Sequence, residues 1–274
     1  MIITTKNSDY SATGLGKLES LNAKTIALLT ATGRLIPTSK KQALESFLKT
    51  IGFIDNNGIY AKTQLFFMPC LANSLANSFY NLSANAIVYP SGYNAGNIGT
   101  SEYLFDSTAF GLSNTVTPVY PFKVGTYANT LSSNNFFALS YCPTSTNKHP
   151  IHGTSSVGFG GKKLYSYNNV SNLLDVREQS ATLCKLSLLN CTSLTVGGAK
   201  MYLDSVQKTP STEIITGTPT AISLNNSYLM ARGDQYSYDN CLPTQIIMIG
   251  SALTDLESTT LNTAVTTFIS VLNS

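Results

Sequence analysis

A chain of 274 residues with a hydrophobic fraction of 43% is long enough to bury a sizeable core, as one large β-sandwich or as two small domains. Its charged fraction of 11% is under half the usual quarter, and the formal net charge of +3 is spread thinly, with Lys40-Lys41 and Lys162-Lys163 its densest basic pairs. Nucleic-acid binding would need a basic stripe making several phosphate contacts, and none is visible. No apolar run reaches the roughly eighteen residues of a spanning helix, so no membrane insertion is expected. Met1-Ile2-Ile3-Thr4-Thr5-Lys6 carries no secretory apolar region, so no export signal is expected either. Polarity comes instead from Ser, Thr and Asn, together 89 residues. Five cysteines, Cys70, Cys142, Cys184, Cys191 and Cys241, are odd in number and scattered, which argues against a disulfide framework and against zinc. Buried thiols are expected, with Cys184 and Cys191 on neighbouring turns or strands.

In chain order, the first element is a short helix over about Asn22 to Thr30, closed by Gly33. A second follows Ser39, which forms a capping box with Gln42. Leu44, Phe47, Leu48 and Ile51 then fall on one helical stripe, and Gly52 supplies a left-handed stop. From about Ile59 the period changes to short apolar or alternating runs separated by Asn, Gly, Ser and Pro. Examples are Leu65–Met68, Ala86–Tyr89, Tyr103–Phe105, Phe136–Leu139, Leu164–Tyr167, Met201–Leu203, Tyr228–Met230 and Gln245–Met248. Many short strands rich in Tyr, Phe, Ile and Thr predict a sandwich or jelly roll. A last helix starts at a Thr254/Glu257 capping box and presents Leu261, Val265, Phe268 and Leu272 on one side. The expected organisation is residues 1–58 as an N-terminal arm and helical region packing on the sandwich, and 59–274 as the sandwich with its C-terminal helix.

Four stretches resemble a family of phage proteins with a concanavalin A-like (LamG-type) sandwich. Ser8-Asp9-Tyr10-Ser11-Ala12-Thr13-Gly14-Leu15-Gly16-Lys17 is similar to the opening pattern Y-S-x-T-G-L-G-K/R. Gln42 to Phe66 is similar to F-x-x-x-L-x-x-x-G-I/V-W-x-K-L-D-x-L-Y. The third stretch is Leu75 to Ser101, and the fourth runs from Tyr228 to the end. The chain departs from the pattern in having no Trp; Phe53 and Phe79-Tyr80 stand where the family often places it. The resemblance implies a mainly β, concanavalin A/lectin-like jelly-roll β-sandwich with amphipathic helices at the N-terminal region and C-terminus. It also implies a virion component, often at or near a host-recognition device, with other virion proteins as partners and no catalytic site.

Hydrolysis of sugars on such a sandwich would need two carboxylates about 5–5.5 Å apart for retention, or farther for inversion. The six glutamates, Glu19, Glu45, Glu102, Glu178, Glu213 and Glu257, do not begin the E-x-D-x-x-E pattern of sandwich glycosidases, and Glu45 and Glu257 have helical roles. No catalytic residue is assigned. His149 and His152 flank Pro150 with no further ligand near, and no G-x-S-x-G elbow is present. Arg232-Gly233-Asp234 reads as a glycine turn. Asp234 and Asp239 bracket Tyr236 and Tyr238, and this loop is the expected ligand surface. Its tyrosines can stack on sugar rings, and its carboxylates are of the kind that share a calcium ion with backbone oxygens. Tyr165 and Tyr167 are a second such pair. No cofactor is otherwise called for, and the four N-x-S/T sequons at Asn81, Asn169, Asn190 and Asn225 predict no glycan. The functional expectation is a non-enzymatic virion part: a fibre, tail or capsid-surface appendage that binds host-surface glycan and assembles as a homo-oligomer, most simply a trimer. The alternatives are a purely structural assembly or decoration protein, or a secreted carbohydrate-active enzyme or lectin.

Overall fold

The computed structural model describes residues 21–88, 136–146, 151–152, 162–169, 172–178, 183–193, 197–209, 212–216, 228–229 and 245–274. The chain enters through helix α1 (Ala23–Thr32), whose first turn is capped by the Asn22 side chain accepting from the Lys24 amide at 2.9 Å. Gly33, at φ 78°, ends it and returns its N–H to the Leu29 carbonyl. Helix α2 (Thr38–Thr50) starts two residues earlier than the sequence suggests and without the expected Ser39/Gln42 capping box. Pro37 occupies the cap position, has no side-chain acceptor to offer, and places Ser39 and Gln42 inside the helix. The apolar stripe is as expected: Leu44, Phe47, Leu48 and Ile51 are all buried. Gly52 takes φ 86°, and a Cβ there would lie 2.2 Å from the Asn57 carbonyl oxygen.

Where the sequence places the onset of strands, at Ile59, the chain first makes one more helical turn, α3 (Gly58–Lys62). So short a helix has little intrinsic stability. It is held by the Tyr60 amide donating to the Ile51 carbonyl at 2.7 Å, the Thr63 hydroxyl donating to the Ile59 carbonyl, and the burial of Ile59. Strand β1 (Thr63–Phe67) follows, then a 3-10 turn (Pro69–Leu71), the single turn α4 (Leu75–Ser78), and strands β2 (Tyr80–Asn81) and β3 (Ala86–Ile87). The later elements are β4 (Phe136–Thr146), β5 (Ile151–His152), β6 (Lys162–Asn169), β7 (Asn172–Glu178), β8 (Cys184–Cys191) and β9 (Ala199–Leu203). They continue through β10 (Val206–Lys208), β11 (Thr212–Thr216), β12 (Tyr228–Leu229), β13 (Ile246–Ser251) and α5 (Asp255–Asn273).

Eight of the strands form one sheet in the order β10-β9-β8-β4-β13-β1-β2-β3. Every neighbouring pair in it is antiparallel. A three-stranded antiparallel sheet, β11-β7-β6, and a two-stranded one, β12-β5, complete the described strands. The chain is therefore mainly antiparallel β with helices towards both ends. Of the expected strands, Tyr103–Phe105 lies outside the described residues. The Cys184 and Cys191 expectation is corrected: the two occupy opposite ends of the one strand β8. At roughly 3.3 Å per residue a strand holds such ends far beyond disulfide reach.

Strand alternation sends successive side chains to opposite faces of the sheet. Phe66, Met68, Phe137, Leu139, Leu188, Tyr202, Ile246 and Met248 point to the face covered by α1, α2 and α5, where they meet Leu28, Phe47, Leu48, Leu261, Val265, Phe268 and Leu272. Leu65, Phe67, Phe136, Ala138, Leu189, Met201, Ile247 and Ile249 form a second buried cluster on the other face. Burying each of the larger side chains contributes roughly 1.5–3 kcal/mol. Phe47 of α2 is the pivot of the first cluster, stacked on Phe268 of α5 at 5.2 Å between centroids and edge-on to Phe66 of β1 at 6.3 Å. The Thr254/Glu257 capping box of α5 is formed as expected. At the far end of α5, the Lys40 ammonium donates to the Leu272 carbonyl at 2.8 Å.

Two buried asparagines stitch these layers. Asn190 accepts from the Leu253 amide at 2.9 Å and donates to the Leu253 carbonyl at 2.7 Å and to the Ser258 hydroxyl, fixing α5 to β8. Asn81 accepts from the amides of Phe66 and Ser83 and donates to the Gln64 carbonyl. Both sit in N-x-S/T sequons, and both are buried, so neither amide has room for a glycan. At the sheet edge, β9 turns into β10 through Asp204 and Ser205, both at positive φ (47° and 67°), the backbone of a two-residue hairpin turn. The Asp204 carboxylate spans to β8 by accepting from the amides of Lys185 and Leu186.

Candidate functional site

The residues expected to bind ligand, Asp234, Tyr236, Tyr238 and Asp239, lie outside the described residues. So do His149, Arg232, Gly233 and Cys241. The backbone leading to that loop is described: β12 pairs with β5, setting Tyr228 opposite His152 and Leu229 opposite Ile151. The stem of the tyrosine loop thus runs beside the end of the His149–His152 segment. Tyr165 and Tyr167 take register positions on β6 opposite Asp175 and Leu173 of β7.

Four of the carboxylates with described side chains on the helices and turns carry structural contacts. Glu45 is buried, accepts from the Asn22 amide at 2.7 Å and pairs with Lys49 at 3.3 Å. Glu257 belongs to the capping box and meets Lys62 at 2.6 Å; Asp255 meets Lys200 at 2.6 Å; Asp204 holds the β8 amides. Burial pushes the Cys70 thiol up to about 12, in spite of the neighbouring Arg34 guanidinium, so it stays protonated and is a poor nucleophile at neutral pH. Arg34 donates to the Cys70 carbonyl, and its own pKa is lowered chiefly by burial. Cys142, Cys184 and Cys191 are likewise buried. Among the described residues no cluster of three or more His, Cys, Asp or Glu side chains is placed to hold a metal ion. No helix among them is long and apolar enough to cross a membrane.

One surface has the chemistry of a ligand platform and was not singled out from the sequence. Phe53, in the turn after α2, and Tyr60 of α3 are half-buried and meet edge-on at 4.9 Å between centroids, and Tyr80 of β2 is a half-buried ring close enough to Tyr60 to bear on its ionisation. Their polar tips are fixed. The Tyr60 hydroxyl donates to the Leu82 carbonyl at 3.0 Å, and the Tyr80 hydroxyl bonds the Asn85 side chain. Burial raises the pKa of both tyrosines, and at Tyr60 the neighbouring Tyr80 acts in the same direction. Lys24 sits 5.9 Å from the Phe53 ring centroid and donates to the Phe53 carbonyl and to the Asn56 side chain. Fixed ring faces bordered by amide and ammonium groups suit a polyol, whose C–H face stacks and whose hydroxyls hydrogen-bond. Asn56 and Asn85, both at positive φ, mark the turns that bring these rings together. That was the available sequence signal, beside the positions of Phe53 and Phe79-Tyr80. Phe79 is buried and so is not part of the patch surface.

No family model matches the chain, and no curated protein matches it in sequence. Among solved structures, a mutant of Trypanosoma rangeli sialidase displaying trans-sialidase activity aligns at a TM-score of 0.42 with 12% identity, over 83% of this chain and 39% of that one. The chain therefore spans well under half the length of that protein, and a likeness of this degree assigns it neither a family nor an activity.

Proposed function

We propose that the chain is a non-enzymatic structural component of a phage virion, a fibre, tail or capsid-surface appendage whose concanavalin A-like jelly-roll domain attaches to glycan on the host surface. The observation that carries this reading is where the resembling stretches fall in the fold. Gln42–Phe66 and the C-terminal part of Tyr228–Ser274 are nearly two hundred residues apart in sequence. In the fold they pack against each other: β1 pairs with β13, Phe47 stacks on Phe268, and Lys62 pairs with Glu257. That packing supports reading the two stretches as parts of one structural unit. The low charge fits the reading too, because a surface of Ser, Thr and Asn keeps its interactions as salt varies. Glycan contact is assigned to the Tyr236/Tyr238 loop and, among the described surfaces, to Phe53, Tyr60 and Tyr80. Other virion proteins and further copies of this chain, most simply as a trimer, are its partners.

The test has two arms. Mass spectrometry of purified particles of the phage that encodes the chain should find it in stoichiometric amount; its absence from particles would sink the virion assignment. The purified chain should then bind host polysaccharide on a glycan array without releasing reducing sugar. Sugar release would make it an enzyme. Incorporation into particles with a silent array would leave the assembly-protein reading in its place.

A further inference from the structure

Asn57 and Gly58 join the turn after α2 to the start of α3, and both reacting groups of an intramolecular amide exchange stand unengaged there. The Asn57 side chain is at the N-cap position of α3 but makes no capping hydrogen bond, and the residue is exposed. The Gly58 amide, the first of a helix, is one of its orphan donors, and no hydrogen bond to it is found. Gly58 carries no Cβ to obstruct approach to its nitrogen. The other asparagines in this part of the fold differ. Asn56 accepts from Lys24; Asn73 and Asn77 bond each other; Asn81 is buried and fully used.

We infer that Asn57-Gly58 is a site of spontaneous deamidation, a slow covalent change built into the turn that carries Phe53 and Asn56. The Gly58 amide nitrogen, giving up its proton to solvent base, attacks Asn57 Cγ. The new bond from that nitrogen to Cγ closes a five-membered succinimide as the Cγ–Nδ2 bond of Asn57 breaks and ammonia leaves. Water then adds to one of the two ring carbonyls and opens the ring to aspartate or to isoaspartate; nothing is oxidised or reduced. Closing the ring rotates the Asn57 carbonyl, which now accepts from the Ala61 amide at 3.2 Å, while the Asn57 amide stays tied to the Gly52 carbonyl at 3.0 Å. Those bonds make the folded protein react more slowly than the free peptide. Product formation lowers the formal net charge of +3 by one beside the Lys24–Phe53 corner. The isoaspartate form also lengthens a backbone already so close to Gly52 that a Cβ there would not fit.

The full chain would be held at mildly alkaline pH and physiological temperature, and sampled over time by peptide mapping, cation exchange and methylation with an isoaspartyl methyltransferase. Asn57 is expected to convert about tenfold faster than any other asparagine of residues 21–88, a barrier difference of about 1.4 kcal/mol. The acidic species should be absent from Asn57→Gln and should co-elute in part with Asn57→Asp. The inference is overturned if another of these asparagines converts first. It is equally overturned if Asn57 stays intact over a period in which a synthetic peptide of residues 52–62 reacts completely. Neither readout depends on glycan binding or on a virion role.

Discussion

The two faces of the eight-stranded sheet are written by the same strands yet built differently. On the helix-covered face the side chains are large: Phe66, Phe137, Tyr141 and Met248 fill the space under Phe47 and Phe268. On the other face Ala138, Ala199, Cys184 and Cys191 are interspersed among Leu65, Met201, Ile247 and Ile249, and Ser140 lies directly opposite Ser187. Strand β4 shows the contrast at Ala138, which faces away from the helices between Phe137 and Leu139, while Phe136 and Phe67 are the two rings that the second face does carry among the described residues. A cylinder laid on a sheet leaves wide gaps that bulky rings must fill, whereas small residues suit a layer that approaches closely. The helix face is accordingly the one that should suffer most from truncation, and the other from enlargement.

Phe137→Ala should break the first half of that contrast with the largest effect, about 3–5 kcal/mol, because the ring is fully buried in the helix-side cluster and its removal leaves a void. Ala138→Leu should cost about 1–3 kcal/mol by overpacking. Urea unfolding of the two variants against the parent protein measures both. A neutral Ala138→Leu would mean that the second face is slack, and the contrast would fall.

The elements at both ends were legible because their signals are local: the stripe Leu44–Ile51, the stop at Gly52 and the Thr254/Glu257 box need no distant partner. The α2 cap was misread for an equally local reason. Ser39 and Gln42 have the spacing of a capping box, but i,i+3 is also the ordinary spacing inside a helix, and Pro37 already holds the cap. Helix α3 was missed because its support comes from Ile51 and the core rather than from its own five residues. Sheet order was not legible either. Nothing in Thr63–Phe67 says that its neighbour is Ile246–Ser251, since antiparallel pairing sets register without naming a partner. The aromatic patch failed to show for the same reason: Phe53, Tyr60 and Tyr80 become neighbours through that packing.

Asn190 tests how far the helix face depends on polar locks as well as on volume. Its amide satisfies the N–H and C=O of Leu253 at the entrance to α5, all of it buried. Asn190→Leu keeps the size but strands both groups, which should cost about 1–3 kcal/mol. Hydrogen exchange sharpens the result, since the Leu253 amide should lose protection before the amides of β4 do. Equal loss across the sheet would show that the amide is part of the global core and does not act locally on α5.

The smallest expected effect is at the rim of the same face, where α5 begins. Burial alone would raise the pKa of Glu257, but the Lys62 ammonium and the Thr254 amide and hydroxyl outweigh it and hold the carboxyl below the usual glutamate range. A carboxyl depressed in the folded state stabilises the fold above its unfolded pKa, and that increment disappears as the pH falls through the folded value. Glu257→Gln keeps a side chain able to accept from the Thr254 amide while removing the charge, so it isolates the pair with Lys62. Because both partners are partly exposed, the loss at neutral pH should be about 0.5–1 kcal/mol and should shrink with added salt. Thermal midpoints followed from neutral to acid pH should start apart for the parent and the variant and converge below the glutamate range. A gap that persists in acid would mean that Glu257 acts by packing and capping, and that the charge does little for the seating of α5.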